Sequence, residues 1–327
     1  MGLREYIIRR TVYTIILIFF VLTLNFIIFE LMPGNPIEFL ASSGRLRAGQ
    51  SEEVLKLWGF DQPLHIRYIK YIVNMLTGQF GYSYYSLKPV AAEVLDRLLN
   101  TLLLIGTSTT ISIILGVILG VIAASRRGGL FDSVSVIFSL TTYSLPSFWM
   151  GMILLLIFYY NLGWFPGAGA YPREWAVNPP TDPLTLITGR LWHLFLPSLT
   201  LILFMYGGYL LLARATMLET LTDDYIVTAR AKGLKERTVL FKHALRNASL
   251  PLITNAAISF GFMLSGAIIT EQVFTYPGLG KWIWDAIAFA DYPVLQAIFY
   301  IIALCVIAAN FIADLLYGVV DPRVKYG

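Results

Sequence analysis

The sequence is poor in the residue types on which most soluble enzymes depend. Only 13% of its 327 residues are charged, three are histidine and one is cysteine. The lone Cys305 excludes a disulfide within the chain. Because His65, His193 and His243 lie in three separate segments, we predict no metal site. Hydrophobic residues make up 57% of the chain, and this composition predicts a membrane protein.

The sequence also lacks the motifs of nucleotide hydrolysis and nucleophilic catalysis. The nearest fragment to a phosphate-binding GxxxxGK[ST] loop is GLGKW at residues 278–282, which has neither the glycine spacing nor a hydroxyl after the lysine. No serine lies in a GxSxG motif. The acidic pairs Glu52-Glu53 and Asp223-Asp224 are interpreted as solvated and helix-start residues. We therefore predict no catalysis and no cofactor bound by this chain.

Six apolar runs are long enough to cross a membrane, since a hydrocarbon core of about 30 Å requires about 20 helical residues. None shows the two-residue alternation of a barrel strand, so each is predicted to be a helix. The predicted fold class is all-α, with six transmembrane helices, and the first run is predicted to be a retained helix, not a removed signal peptide. The runs cover residues 11–29, 98–125, 133–160, 191–213, 247–270 and 292–313.

The positive charges predict the orientation of these helices. Lys and Arg are more numerous in the inner segments if both termini are cytoplasmic, and the short RRGG link at residues 126–129 is the clearest instance. We divide the chain into residues 1–31, an inner stub and the first helix; 32–97, an outer cap; and 98–327, a five-helix core. This core contains a cytoplasmic loop at 214–250.

The segments outside the membrane have their own local predictions. In the cap, residues 52–58 and 65–76 are amphipathic helix candidates, and a helix is predicted to start at Lys88-Pro89. A second outer segment at 161–190 is rich in proline and glycine, which predicts irregular loop. Residues 279–290 are predicted to form a short surface helix.

Residues 223–251 read DDYIVTARAKGLKERTVLFKHALRNASLP and concentrate six basic residues between two apolar runs. We predict a short helix at 224–232, with Asp223 as N-cap and Gly233 in the C-terminal turn, and a second at about 236–247. Pro251 is predicted to begin the fifth membrane helix. Two explanations remain open for the charges: positive-inside retention with anionic lipid contact, and docking of a cytoplasmic protein. We predict no nucleic-acid partner, because aromatic interleaving and a recognisable binding module are both missing.

The spacing of TARAKG, seventeen residues and then Pro251 resembles the signature EAA loop of ABC importer permeases, in the dipeptide/oligopeptide branch. The glutamate that names this loop is absent here. Other stretches resemble the same branch: WGFDQPLHIRYIKYIVNMLTGQFGYS, YSLPSFWMG, HLFLPSLTL, TEQVFTYPGLG, ADYPVLQ and DPRVKYG. Gln79 and Phe80 replace the usual Asp-Leu, and Asn35 replaces the usual Asp in MPGNP.

This resemblance implies the fold of an ABC type I importer permease in the plasma membrane. Its implied partners are a homologous second permease, two ATP-binding subunits that bind ATP and Mg, and an extracytoplasmic solute-binding protein. The implied cargo is a peptide, with oligosaccharides or nickel chelates as alternatives within the family; a stand-alone channel or secondary transporter is the alternative of another class. The residues implied to dock the ATP-binding subunit are Asp224, Tyr225, Thr228, Ala229, Arg230, Ala231, Lys232, Gly233, Leu234, Arg237, Leu250 and Pro251.

Polar residues inside apolar helices are costly in lipid and are therefore candidates for a translocation path. We assign this role to Asn25, Thr141, Thr142, Asn255 and Asn310, with hydrogen bonding between helices as the alternative. The turn formed by Pro277, Gly278, Leu279 and Gly280 is assigned as an outer gate loop.

Two glutamates, two glycines and one proline within or near the ends of the predicted membrane helices carry further predictions about helix packing and bending. Glu30 and Glu271 are interpreted as residues that reach toward the membrane surface. Gly116 and Gly120 predict a close packing face, and Pro146 predicts a kink.

Overall fold

The computed structural model describes residues 3–31, 61–261 and 267–320, and helices form almost all of the regular structure there. The motifs MPGNP and DPRVKYG and the helix predicted at 52–58 lie outside these residues. The helices are α1 Leu3–Leu31, α2 Leu64–Thr77, α3 Val90–Ser125, α4 Leu130–Ser144, α5 Ser147–Leu154, α6 Pro183–Thr220, α7 Asp224–Ala231, α8 Glu236–Thr238, α9 Leu245–Gly261, α10 Ile268–Val273, α11 Leu279–Ala288 and α12 Tyr292–Val320. Helices of the π type extend α5 over Leu155–Asn161 and link α8 to α9 over Val239–Ala244.

The prediction of a helical membrane protein is confirmed. Helices α1, α3 and α6 are each long and apolar enough to span a membrane, and α4 with α5 would make a fourth span if the bent pair counts as one. Helix α9 is described as far as Gly261, which directly precedes the undescribed residues 262–266. In α12, the apolar stretch within the described residues is Tyr292–Ala308, which is shorter than these spans.

The third apolar run is broken, which corrects the prediction of one kinked helix. Helices α4 and α5 meet at an angle of 102°. Leu145 has the extended conformation (φ −80°, ψ 138°), because a proline ring clashes with a preceding residue in the α conformation. Pro146 therefore ends one helix and starts the next.

Two helix boundaries also differ from the prediction. Helix α6 begins at Pro183, where the Asp182 carboxylate accepts a hydrogen bond from Thr185 N at 2.9 Å, so the end of the segment 161–190 is helical and not loop. Helix α9 begins before Pro251, which lies inside it. The neighbouring Ala248 and Leu252 are 2% and 4% exposed. Their packing holds the helix together across the proline, although the ring removes one hydrogen bond.

The chain forms two compact units, one of residues 1–99 with 278–327 and one of residues 100–277. In the first unit α1 packs against α2 and α12 around a core of Leu22, Phe26, Tyr71, Met75 and Tyr300. The predicted helices at 65–76 and 279–290 are observed as α2 and α11.

The second unit is assembled through close approach of backbones. A Cβ atom added at Gly116 would lie 2.5 Å from Tyr209 Cβ and 2.7 Å from Tyr206 O, and one at Gly120 would lie 2.6 Å from Leu210 O. Helix α3 therefore approaches α6 too closely for larger residues at these positions. The predicted packing face is confirmed.

The position of Glu271 corrects the sequence interpretation. Its side chain is fully buried, and its carboxylate accepts a hydrogen bond from Thr101 Oγ1 at 2.6 Å. The adjacent Asn100 Nδ2 donates to Pro277 O at 3.0 Å. Two consecutive residues of α3 thus fasten the segment 271–277, and Glu271 does not reach toward the membrane surface.

Substitution of Gly116 by Ala tests the close packing of α3 on α6. We expect the free energy of unfolding to fall by about 1–3 kcal/mol, because the new methyl overlaps the α6 backbone. Gly208→Ala on α6 is the matched control, since no atom lies within 4 Å of its added Cβ. It should be neutral or stabilise by up to about 1 kcal/mol. Thermal unfolding in detergent measures the stability of both variants. Equal melting temperatures for Gly116→Ala and Gly208→Ala would contradict close packing of α3 on α6 at Gly116.

Candidate functional site

The six clustered basic residues lie in a compact element that we call the basic block, residues 223–251. It consists of α7, a turn, α8, the π-helix Val239–Ala244 and the start of α9. The short helix predicted at 224–232 is confirmed as α7. The second predicted helix is observed from Glu236 onward, but it runs without interruption into α9.

The turn between α7 and α8 depends on a glycine. Gly233 has φ +72°, in the left-handed region, and its N–H donates to Arg230 O at 2.9 Å. No atom lies within 4 Å of an added Cβ, so glycine is favoured there by backbone conformation and not by space. Asp223 occupies the predicted N-cap position, although its side chain accepts no capping hydrogen bond.

The basic block shares one apolar core with the ends of two long helices. Val121 and Ala124 of α3 and Met217 of α6 lie in the same buried cluster as residues from the block. Those residues are Ile226, Ala229, Val239, Leu240, Ala244 and Ala248, each 8% exposed or less. Because close-packed interiors transmit displacement with little compression, movement of the block moves the ends of α3, α6 and α9 with it.

Two polar contacts cross the block. Asn247 Nδ2 donates to Tyr225 OH at 2.9 Å, which ties α9 to α7. Arg230 donates to Glu236 Oε1 at 2.7 Å across the turn. The carboxylate of Glu236 raises the pKa of the Arg230 guanidinium, chiefly through this hydrogen bond, so Arg230 stays charged. Both partners are about half exposed, and such a pair contributes about 1 kcal/mol or less.

Most residues assigned to docking are exposed. Ala229 is the exception, since it is 6% exposed and packs inside the block. It supports the surface and does not form it. The exposed assigned residues are Asp224, Tyr225, Thr228, Arg230, Ala231, Lys232, Gly233, Leu234, Arg237, Leu250 and Pro251.

The free face of α7 is small and carries one acidic residue, Asp224. It is formed by Asp224, Val227, Thr228 and Ala231, whose spacing places them on one side of the helix. The basic side chains of Arg230, Lys232, Lys235 and Arg237 are concentrated at the turn. The block thus presents a helix face with no basic residue beside a positively charged turn.

Two exposed apolar residues were missed by the sequence assignment. The side chain of Val227 is 59% exposed and that of Phe241 is 39% exposed. The same block also exposes Leu234 at 40% and Leu250 at 67%. The signal for Val227 was available: once Ile226 and Ala229 are placed on the buried side of a short helix, Val227 faces away. Exposed apolar residues on a polar segment are typical of a protein contact.

An ion pair between a buried carboxylate and a partly exposed arginine links α4 to α6 within the second unit. Arg214 Nε donates to Asp132 Oδ1 at 2.6 Å and its Nη2 donates to Oδ2 at 2.9 Å, while Gly128 N donates to the same carboxylate at 2.9 Å. The Asp132 side chain is 5% exposed. Arg214 precedes Met217 of the block's core by one turn, so this contact connects the RRGG turn with the end of α6.

Two of the residues assigned to a translocation path are packed between helices. Asn25 is 6% exposed and donates to Tyr71 OH at 2.8 Å and to Gln296 O at 3.0 Å. Thr142 is also 6% exposed and donates to Ser139 O at 3.2 Å. Asn25 therefore shows the alternative, hydrogen bonding between helices, whereas Thr142 bonds within α4.

The other three assigned path residues have accessible side chains. Thr141 is exposed and donates to Ile137 O at 2.8 Å within α4. Asn255 is partly buried on α9, and Asn310 is exposed on α12. Thr141 and Asn255 belong to the second unit and Asn310 to the first.

The assigned outer gate loop is a buried turn. Pro277, the last residue of the second unit, is held by Asn100. Gly278, Leu279 and Gly280 open α11 in the first unit, and all three are buried, with Leu279 fully so. The preceding Thr275 has φ +46°, an uncommon conformation for a non-glycine residue, so the chain reverses tightly before the turn.

Comparison with known proteins shows similarity along nearly the whole chain. Residues 116–326 match the family described as "Binding-protein-dependent transport system inner membrane component". Residues 3–105 match its N-terminal counterpart, "Binding-prot-dependent transport system membrane comp, N-term".

Individual relatives are similar at 36–38% identity, with about the same length. The "Oligopeptide transport system permease protein AppB" of Bacillus subtilis (strain 168) is 38% identical over 322 residues, which is 98% of this chain and 99% of the relative. The "Di/tripeptide transport system permease protein DppB" of Pseudomonas aeruginosa (strain UCBPP-PA14) is 37% identical with the same coverage. The "Glutathione transport system permease protein GsiC" of Escherichia coli (strain K12) is 36% identical, again over 98% and 99%. The resemblance inferred from the motifs is confirmed.

The partly buried pair Asp132–Arg214 and the exposed pair Arg230–Glu236 allow a matched test. Asp132→Asn leaves the Arg214 guanidinium without its counter-ion, and we expect the free energy of unfolding to fall by about 2 kcal/mol. Glu236→Gln should change it by less than about 1 kcal/mol. Thermal or denaturant unfolding in detergent compares the two variants. A larger loss of unfolding free energy in Glu236→Gln than in Asp132→Asn would contradict the greater structural role assigned to the Asp132–Arg214 pair.

Proposed function

Because this chain belongs to the family of binding-protein-dependent transport system inner membrane components, we propose that it is the permease subunit of an ABC importer for peptides. The proposed cargo rests on relatives named as oligopeptide, di/tripeptide and glutathione permeases. Glutathione is itself a tripeptide, so these names share one chemical class. Oligosaccharides and nickel chelates are less favoured by these names.

The chain is a multi-pass protein of the plasma membrane. Its family is a membrane permease component and not an enzyme. We propose six spans with both termini cytoplasmic, which places the basic block in the cytosol. The excess of Lys and Arg in the segments that are then internal supports this orientation.

The proposed partners are a homologous second permease, two ATP-binding subunits and an extracytoplasmic solute-binding protein. ATP and Mg would be bound by the ATP-binding subunits, since the sequence has no phosphate-binding loop. Energy therefore has to enter this chain through contact with another protein. A stand-alone channel or secondary transporter is not favoured by family membership.

The observation that carries this function is the shared core of the basic block and the ends of α3 and α6. The block offers an exposed helix face, while its buried side is continuous with three long helices. Closure of the ATP-binding subunits would displace the block, and α6 and α9 would tilt between outward-open and inward-open states. ATP drives this change only because it favours one of the two states.

The remaining assignments fit this cycle. Thr141, Asn255 and Asn310 are retained as proposed path residues, since their side chains are accessible. Pro277, Gly278, Leu279 and Gly280 are retained as the proposed outer gate loop, and Asn100 Nδ2 donates to Pro277 O. Asn25 and Thr142 are assigned to helix packing.

Docking is tested by placing a charge on the free face of α7. In Val227→Asp, the carboxylate opposes an apolar contact, and we expect ligand-stimulated ATPase activity of the assembled transporter to fall at least about tenfold, equivalent to about 1.4 kcal/mol. Val177→Asp is the matched control, because Val177 is 81% exposed in the segment between α5 and α6. It should retain full stimulation.

Subunit composition is measured on the same preparations. Loss of the ATP-binding subunits from Val227→Asp, with the second permease retained, would place the defect at the docking surface. Undiminished stimulation in Val227→Asp would contradict docking through α7. Peptide uptake by the chain alone in liposomes would contradict the proposed dependence on partner subunits.

A further inference from the structure

Helix α2 has two apolar faces, and one of them has no partner in the described residues. Tyr71 and Met75 are 8% and 5% exposed and pack against α1 and α12. The opposite face is formed by four residues at spacings of three and four. These are Ile66, Ile69, Val73 and Leu76, which are 37%, 59%, 52% and 51% exposed.

A polar strip separates the two apolar faces on one side. It contains Arg67, Lys70, Asn74 and Thr77, and Arg67 donates to Glu30 of α1 at 2.8 Å. The strip borders a cavity of about 500 Å³ whose lining includes Lys70, Asn74 and Gln296. A strong division between apolar residues and a Lys/Arg-containing polar side is typical of helices that lie in a membrane interface.

The contacts of α2 set its depth in the membrane. Tyr68 OH forms a hydrogen bond with Thr23 Oγ1 at 2.7 Å, and Asn25 donates to Tyr71 OH at 2.8 Å. The apolar part of α1 is Ile7–Leu31, 25 residues, which is about 37 Å long at 1.5 Å per residue. Thr23 therefore lies roughly 12 Å from the end of α1, inside a hydrocarbon core of about 30 Å.

Helix α1 exposes apolar side chains at the same level. Phe20, Leu24 and Ile28 are 60%, 45% and 50% exposed on the turns that flank Thr23 and Asn25. A helix fastened to these turns by Tyr68 and Tyr71 is held at the boundary of the hydrocarbon and not above it. Water would solvate the second apolar face of α2 at a cost, whereas acyl chains at this depth cover it.

We propose that α2 is an interfacial membrane helix whose face of Ile66, Ile69, Val73 and Leu76 is immersed in the acyl chains of the leaflet in which α1 ends. Its polar strip faces the cavity and the headgroups. The occupant of this face is lipid, not a second permease subunit or another segment of protein. With the proposed orientation of the chain, this is the outer leaflet.

Spin labels on single cysteines test this arrangement. In a Cys305→Ala background, Ile69→Cys and Val73→Cys are labelled in the full-length chain, purified with its transporter subunits and placed in phosphatidylcholine/phosphatidylglycerol nanodiscs. We expect both labels to collide more often with oxygen, which concentrates in acyl chains, than with a water-soluble nickel chelate. Phe20→Cys on α1 is the lipid reference, and Asn74→Cys on the polar strip should show the reverse preference.

Two results would overturn the proposal. Greater collision with the nickel chelate at positions 69 and 73 would show that the face is in water. Exclusion of both reagents with an immobilised spectrum would show that protein covers it. The two positions are read independently, so a poorly folded variant at one leaves the other decisive. None of these outcomes bears on docking through α7, which is measured by ATPase activity.

Discussion

The apolar core beneath the basic block is the contact on which the functional interpretation depends. Ile226 and Val239 of the block are fully buried together with Met217 of α6 and Val121 of α3. Without this core the basic residues would be an exposed linker, and force applied to it would dissipate in bending. With it, the proposed docking surface and the ends of the membrane helices form one packed body.

The same unit is held by contacts that differ in physical kind. Glycines at positions 116 and 120 allow α3 and α6 to approach closely, which in lipid replaces the hydrophobic driving force that soluble helices have. The ion pair between Arg214 and the buried carboxylate of Asp132 adds hydrogen bonds of fixed direction between α4 and α6. Close packing holds the helices at a set distance, and the ion pair holds their register, since a displaced buried charge loses its partner.

Polar residues within the apolar helices have unequal roles. Asn25 and Thr142 satisfy their hydrogen bonds between or within helices, and Glu271 is buried against Thr101. A polar residue in lipid must find a partner, and sequence alone does not say whether the partner is water in a channel or a neighbouring helix. That distinction depends on which residues of distant segments meet, and only the packed structure supplies it.

The sequence by itself determined the membrane class, most of the long helices, the short helix α7 with its glycine turn, and the family, because apolar length, caps and motif spacing are local properties. The tertiary structure decided what local patterns leave open. In the structure, α4 and α5 are separated at Pro146 by a bend of 102°, and α9 continues through Pro251. Ala229 is buried and Val227 is exposed in the same short helix, and α2 has a second apolar face. All of these except the break at Pro146 depend on burial, and burial is set by segments far apart in the chain, which no local pattern contains.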